Sequence, residues 1–317
     1  MKAPTQAVNT KALNPEKVFG VKMDDKIHGL EAQTEFVPEV DETYQFDGET
    51  TRILLAGFEH NLRVLVQGYH GTGKSTHIEQ VAARLNWPCF RLNLDGHLTR
   101  LDLIGRDAIV LEDGKQVTTF QEGILPWAIQ QPMALVLDEY DAGRPEVMFV
   151  IQRLLEKDGV LALPEENRVI KPHPQFRLFA TSNTVGLGDA TGIYHGTYQL
   201  NQAQMDRWNM VTRLNYPDFD KEVQIVLAKN TGLHNRRDVV EQMVRVADLT
   251  RTGFMAGDIA TVMSPRTVIM WAENVDILGD IFKAYELTFI NRADREDEET
   301  LTEYFMRVFG TTEGLTI

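Results

Sequence analysis

Eight residues constrain this chain more than any others. Gly68-Tyr69-His70-Gly71-Thr72-Gly73-Lys74-Ser75 fits the pattern Gly-x-x-x-x-Gly-Lys-Ser/Thr without departure, and Thr76 follows it. The segment Arg63-Val64-Leu65-Val66 just before it reads as a short buried strand. Just after it, Ser75 to Leu85 places Ile78, Val81, Ala82 and Leu85 on one face of a helix. Strand, glycine turn and helix in that order form a phosphate cradle. Glycines let consecutive backbone N–H groups turn inward, and the helix N-terminus adds partial positive charge. Lys74 reaches the β- and γ-phosphates of a nucleotide, and the Ser75 hydroxyl ligates Mg²⁺. Gly68, Gly71, Thr72, Gly73, Lys74, Ser75 and Thr76 are therefore the candidate nucleotide-binding residues.

The surrounding pattern predicts an α/β domain. Ile53, Leu54, Phe58 and Leu62 have helical spacing, and strands are expected at 90–94, 134–137 and 177–180 in addition to the one before the glycine turn. Strands alternating with helices indicate a parallel sheet covered on both faces. Two stretches interrupt the alternation. Residues 107–120 alternate around Asp113-Gly114, a hairpin signal, and 158–174, rich in Pro and Glu, read as an insertion. Beyond Pro217 the composition is helical to the end. The expected domains are residues 1–47, with little periodicity, read as an N-terminal arm or a small ancillary module rather than a core element, an α/β nucleotide-binding domain over 48–216 and a small helical domain over 217–317.

Two more strand ends carry chemistry. Asp138 closes the apolar run 134–137 and Glu139 follows at once, where a metal-positioning carboxylate and a water-activating carboxylate belong. The strand 177–180 runs into Thr181-Ser182-Asn183, which puts an amide at the same edge to orient the lytic water.

Composition narrows the function classes. Thirty-two Lys and Arg against forty-six Asp and Glu give a formal charge of −14, which disfavours nonspecific attraction to nucleic acid or an anionic membrane. The single cysteine, Cys89, lies in an apolar stretch and reads as core packing. Residues 1–20 hold no apolar signal segment, so a cytoplasmic location is expected. The histidines, among them His70, His77, His97, His173 and His195, make no His-x-x-x-His pattern, and the polar loop 186–196 reads as a coupling loop. The acidic run 294–299 reads as a solvated helix start.

These motifs together resemble the AAA+ ATPases. The hairpin, the second insertion and the helical C-terminal region narrow the resemblance to the MoxR and magnesium-chelatase branch. Gly-Tyr-His-Gly-Thr-Gly-Lys-Ser-Thr at 68–76, Leu-Asp-Glu-Tyr-Asp at 137–141 and Ala-Thr-Ser-Asn-Thr at 180–184 look like signatures of the ATPase subunit of aerobic cobaltochelatases. The resemblance implies an AAA+ P-loop fold with a helix-2 hairpin insertion and a helical lid. It also implies an ATPase using ATP and Mg²⁺, with Ser75 and Asp138 at the metal, Glu139 activating water and Asn183 sensing the γ-phosphate. Gln204-Met205-Asp206-Arg207-Trp208 looks like the element whose arginine acts on the neighbouring subunit's nucleotide, with Arg213 a second candidate and a surface pairing of Arg207 with Asp206 the plainer reading. Arg266, in Ser264-Pro265-Arg266-Thr267, matches the sensor arginine of the lid, while Ser264 and Pro265 read as an N-cap and first helical position. The implied partners are further copies in a homo-oligomeric ring, a hexamer, with a CobT-like metal-adhesion subunit and a CobN-like large subunit carrying cobalt and corrinoid. The implied reaction is cobalt insertion into hydrogenobyrinic acid a,c-diamide in cobalamin biosynthesis. A MoxR-like chaperone for metalloenzyme assembly stays open as the alternative.

Overall fold

A computed structural model describes residues 7–24, 26–31, 34–112, 114–156, 158–183 and 202–316. An antiparallel pair, β1 (Thr10–Leu13) and β2 (Ile27–Leu30), flanks the short helix α1 (Pro15–Phe19). Helix α2 (Gly48–His60), whose Asp47 cap accepts the Thr50 N–H, leads into β3 (Val64–Gln67), and α3 (Lys74–Arg84) leads into β4 (Cys89–Asn93). The hairpin of β5 (Gly105–Glu112) and β6 (Lys115–Glu122) stands between α4 (Arg100–Ile104) and α5 (Ile124–Ile129). Then come β7 (Ala134–Asp138), α6 (Pro145–Leu155), a small hairpin of β8 (Leu161–Leu163) and β9 (Arg168–Ile170), and β10 (Arg177–Ser182). Helix α7 (Gln202–Met205) and β11 (Met210–Arg213) follow.

The central sheet has the order β11-β3-β10-β7-β4, every neighbouring pair parallel. Its strands alternate between two cores, as a sheet buried on both faces must. Val64, Val66, Ala134, Val136 and Phe179 pack with Leu54, Phe58, Ile78 and Val81 of α2 and α3. Leu65, Leu135, Leu137, Leu178 and Ala180 face the other way, onto Leu125, Ile129, Ile151 and Leu154 of α5 and α6.

Three expectations change. The N-terminal module is not outside the core: Phe19, Val21, Ile27 and Leu30 are buried against α2 and α3. They are spread over the end of α1, the turn after it and β2, so no single helical or strand period marks them. Gly29 lets that pair approach, since a Cβ there would lie 2.6 Å from the Leu85 carbonyl oxygen. The sheet has a fifth strand, β11, whose Met-Val-Thr-Arg sequence carries too little apolar character to announce itself. The insertion at 158–174 stands where it is expected, as the hairpin of β8 and β9, with Leu161, Leu163 and Ile170 buried. Within the acidic run, Asp297 is buried and accepts the Ala260 N–H at 2.9 Å, so that run is not wholly solvated.

Two compact units emerge. One comprises residues 1–41, 46–68 and 74–214, the other Glu42–Gln45, Tyr69–Gly73 and Asn215–Ile317. The second contains α8 (Phe219–Lys229), α9 (Arg237–Ala256), α10 (Pro265–Leu278), α11 (Ile281–Thr288) and α12 (Glu298–Phe309). Its core centres on Trp271, Tyr285 and Phe305, with Tyr285 and Phe305 stacked at 5.2 Å. Among the described residues no helix is long and apolar enough to cross a membrane.

Candidate nucleotide site

Parallel pairing sets the carboxyl ends of β3, β10 and β7 side by side. Gly68 follows β3, Asn183 follows β10 and Asp138 ends β7, so three strand exits deliver the predicted residues to one edge. The Gly68 N–H donates to the Ser182 carbonyl at 3.2 Å. Lys74, first residue of α3 and only 7% exposed, donates through Nζ to the Gly68 carbonyl and to Asn183 Oδ1, both at 2.8 Å. The Ser75 hydroxyl donates to Asp138 Oδ1 at 2.5 Å. Thr76 follows, half-buried on α3.

Two residues join the site that motif reading did not single out. The Thr181 hydroxyl donates to Asp138 Oδ1 and accepts the Glu139 N–H at 3.3 Å, tying both acids to β10. Arg91 of β4 pairs with Asp138 Oδ2 and, at 3.4 Å, with Glu79. Thr181 was in plain view within Ala180-Thr181-Ser182-Asn183. Arg91 carried no signal, because its role depends on β4 lying beside β7.

The adjacent acids are driven apart. Burial favours the protonated form of Asp138, but hydrogen bonds from Ser75, Thr181 and Arg91 outweigh it and hold its pKa below the ordinary value. Burial raises the pKa of Glu139, helped by the negative charges of Asp138 and Asp141 and opposed by Lys74. Such divergence assigns different tasks to paired carboxyls. Asp138 is fitted to hold charge and Glu139 to take up a proton.

The glycine turn itself belongs to the helical unit. The Thr72 hydroxyl donates to the Tyr69 carbonyl at 2.9 Å, and the Tyr69 ring stacks on Tyr216 at 5.5 Å. Gly71 has φ +71°, and a Cβ there would lie 2.4 Å from the Ser264 side chain, so a larger residue is excluded twice. Gly73 also needs the left-handed region, at φ +84°. Ser264 caps α10 by accepting the Thr267 N–H at 3.3 Å, Pro265 opens the helix, and Arg266 stands exposed in its first turn.

The two finger candidates separate. Arg207 precedes β11 and so lies at the amino end of the sheet, where it donates to the Ala203 carbonyl and stands 3.8 Å from Glu156 rather than pairing with Asp206. Trp208 beside it is buried edge-on against Tyr140 at 5.1 Å. Arg213 ends β11, aligned with Gln67 at the carboxyl end. His77 is a core histidine, 2.9 Å from the Thr51 hydroxyl. Thr184, His195 and the loop 186–196 lie outside the described residues.

The family model described as AAA domain (dynein-related subfamily) matches residues 63–207, from the residue before β3 through Arg207. The aerobic cobaltochelatase subunit CobS of Sinorhizobium sp is 60% identical over 300 residues, covering 94% of this chain and 90% of that protein. The chain belongs to the CobS family. Protein NorQ of Paracoccus denitrificans is 27% identical over 269 residues, covering 84% of this chain and 94% of that one. Among solved structures, a point mutant of Thermotoga maritima RuvB aligns with a TM-score of 0.50 at 14% identity, over 88% of this chain and 76% of that one, a likeness of fold. The CobS-family chain thus has the AAA P-loop fold expected of it, with a parallel central sheet.

Proposed function

We propose that this chain is the ATP-hydrolysing motor subunit of an aerobic cobaltochelatase. The observation that carries the reading is the convergence of Lys74 on Asn183 and of Ser75 on Asp138, at the exits of adjacent parallel strands, in a chain 60% identical to CobS. Lys74 exchanges the Gly68 carbonyl and Asn183 for the β- and γ-phosphates of ATP. Ser75 and Asp138 offer hard oxygens 2.5 Å apart, a fit for Mg²⁺, and would hold that ion. When bound, it supplies charge neutralisation at the phosphates.

Glu139 removes a proton from water as the water oxygen bonds to the γ-phosphorus. The bond from that phosphorus to the bridging oxygen breaks, and ADP and phosphate leave. Its raised proton affinity suits the task. Asn183 orients the water and reads the γ-phosphate. Arg207 sits at the sheet end opposite its own Lys74, which favours action on a neighbouring subunit's nucleotide in a ring. Arg266, beside the Ser264 that packs on Gly71, reports nucleotide state within the helical unit. Partner subunits with a metal-adhesion domain and a large tetrapyrrole-binding body carry cobalt, the metal substrate, and hydrogenobyrinic acid a,c-diamide.

Reconstitution tests the reading. The chain with both partners should insert cobalt only with ATP, and Lys74→Ala or Glu139→Gln should abolish insertion. A complete mixture in which metallation ignores this chain defeats the proposal.

A further inference from the structure

Asp141 is fully buried, and its charge acts on the neighbouring Glu139. It lies in the 3-10 turn Tyr140–Ala142, which starts from Glu139 at φ +55° and closes with the Ala142 N–H on the Glu139 carbonyl at 2.8 Å. That turn folds the chain back against β10. There the Asp141 carboxylate accepts the backbone N–H of Asn183, 3.2 Å from Oδ2 and 3.4 Å from Oδ1.

Burying an anion here is costly. It leaves water, it stands beside two other carboxylates, and it does so in a site that receives polyanionic phosphate. What a charged acceptor provides is a stronger hydrogen bond to an N–H than a neutral one. The N–H it holds belongs to the residue whose Oδ1 accepts from Lys74. Strand pairing does not fix that residue, because β10 ends at Ser182. Past the strand, Asp141 takes over from the β-ladder in holding the backbone of Asn183.

We propose that Asp141 is a positioning residue for ATP hydrolysis, its buried carboxylate fixing Asn183 at the exit of β10 so that the amide meets the γ-phosphate. The proposal rests on the reading of Asn183 given above. Thr181 and Asp141 then form two pins between the exits of β7 and β10, one holding the Glu139 N–H and the other the Asn183 N–H.

Steady-state ATPase kinetics and binding of a non-hydrolysable ATP analogue, measured on the full chain, test it. Asp141→Ala should lower kcat about 10- to 100-fold, the loss of a charge-assisted hydrogen bond, with KM and analogue affinity within about threefold. Asp141→Asn should restore part of the turnover, because its amide oxygen accepts the same N–H without the charge. In an Asn183→Ala background, Asp141→Ala should add little, as expected when one residue acts through the other. Wild-type turnover by Asp141→Ala beside an impaired Asn183→Ala overturns the proposal alone, and so does a fully additive double variant. Wild-type turnover by Asn183→Ala overturns the reading of Asn183 and the proposal with it. If Asp141→Ala does not fold, Asp141→Leu fills the volume without an acceptor, and normal turnover there overturns the proposal equally.

Discussion

The two ends of the central sheet bury cations in opposite ways. At the carboxyl end Lys74, 7% exposed, donates to a carbonyl and to the side-chain amide of Asn183. At the amino end Arg177, equally buried, donates to backbone carbonyls, and so for the most part does Arg63. Arg177 reaches the carbonyls of Phe58, Pro174 and Phe176 and lies 4.8 Å above the Trp87 ring, while Arg63 reaches those of Leu154 and Asn61 together with the Asn61 side-chain oxygen. Phe58 and Leu154 stand in the last turns of α2 and α6, where carbonyls lack intrahelical partners and the dipole is negative. Burial, reinforced by the nearby charge of Arg63, lowers the Arg177 pKa to about 10, which leaves it charged at neutral pH. A cation bound to helix-end carbonyls cannot change partners without opening the helix ends. One held as Lys74 is, between a loop carbonyl and an amide at the exits of adjacent strands, can hand itself to a phosphate.

Lys74→Ala puts the largest strain on that contrast. Calorimetric titration should show ATP binding abolished, while urea unfolding moves by less than about 1 kcal/mol, since the amide and carbonyl it leaves border the nucleotide site. Tight ATP binding by the variant would erase the functional half of the comparison.

Arg207 tests whether the amino end is purely architectural. Unlike Arg63 and Arg177 it is partly exposed and only loosely paired, 3.8 Å from Glu156. Losing an arginine finger costs roughly 10³-fold or more in turnover, so Arg207→Ala alone should be nearly inactive in ATPase assays. Mixing it with Lys74→Ala subunits should restore activity at interfaces where an intact Lys74 faces an intact Arg207. No recovery across mixing ratios, with mixed rings demonstrated, would leave Arg207 an architectural cation like its neighbours.

This contrast also marks what was legible in the sequence. The candidate edge was readable because its residues sit at strand exits inside contiguous motifs: the glycine turn before α3, Asp138-Glu139 after four apolar residues, Asn183 after β10. The hairpin of β5 and β6, the Ser264 cap and the helix start at Pro265 were readable for the same local reason. Residues whose partners are fixed only by the sheet order were not. Arg91 needs β4 beside β7, and Arg177 needs the end of α2 close by. The buried residues of the N-terminal module, Phe19 to Leu30, needed a docking surface on α2 and α3 before their apolar character had a direction.

Arg177→Met sharpens the architectural half. It keeps an apolar stem against Trp87 but removes the donors to Phe58, Pro174 and Phe176, leaving buried carbonyls unsatisfied. Urea unfolding should register a loss of about 3 kcal/mol, with ATP affinity of the folded protein unchanged. A loss of ATP affinity at matched folded fraction would show that the two ends are not separable.

Arg91→Gln should have the smallest effect and decides whether position alone classifies a cation. Arg91 is at the carboxyl end, yet its side chain is 41% exposed and its partners, Asp138 and Glu79, are carboxylates rather than carbonyls. Removing the charge leaves Asp138 still accepting from Ser75 and Thr181, so no buried group is stranded. What is lost is a solvent-screened pairing, worth about 0–1 kcal/mol, and the unfolding midpoint should move accordingly. Raising the salt concentration should shrink the difference from wild type, because screening weakens the pair it removes. A loss as large as that of Arg177→Met, or one indifferent to salt, would mean that Arg91 is a structural cation at the functional end. The division would then follow burial and partner chemistry, with no regard to which end of the sheet a residue occupies.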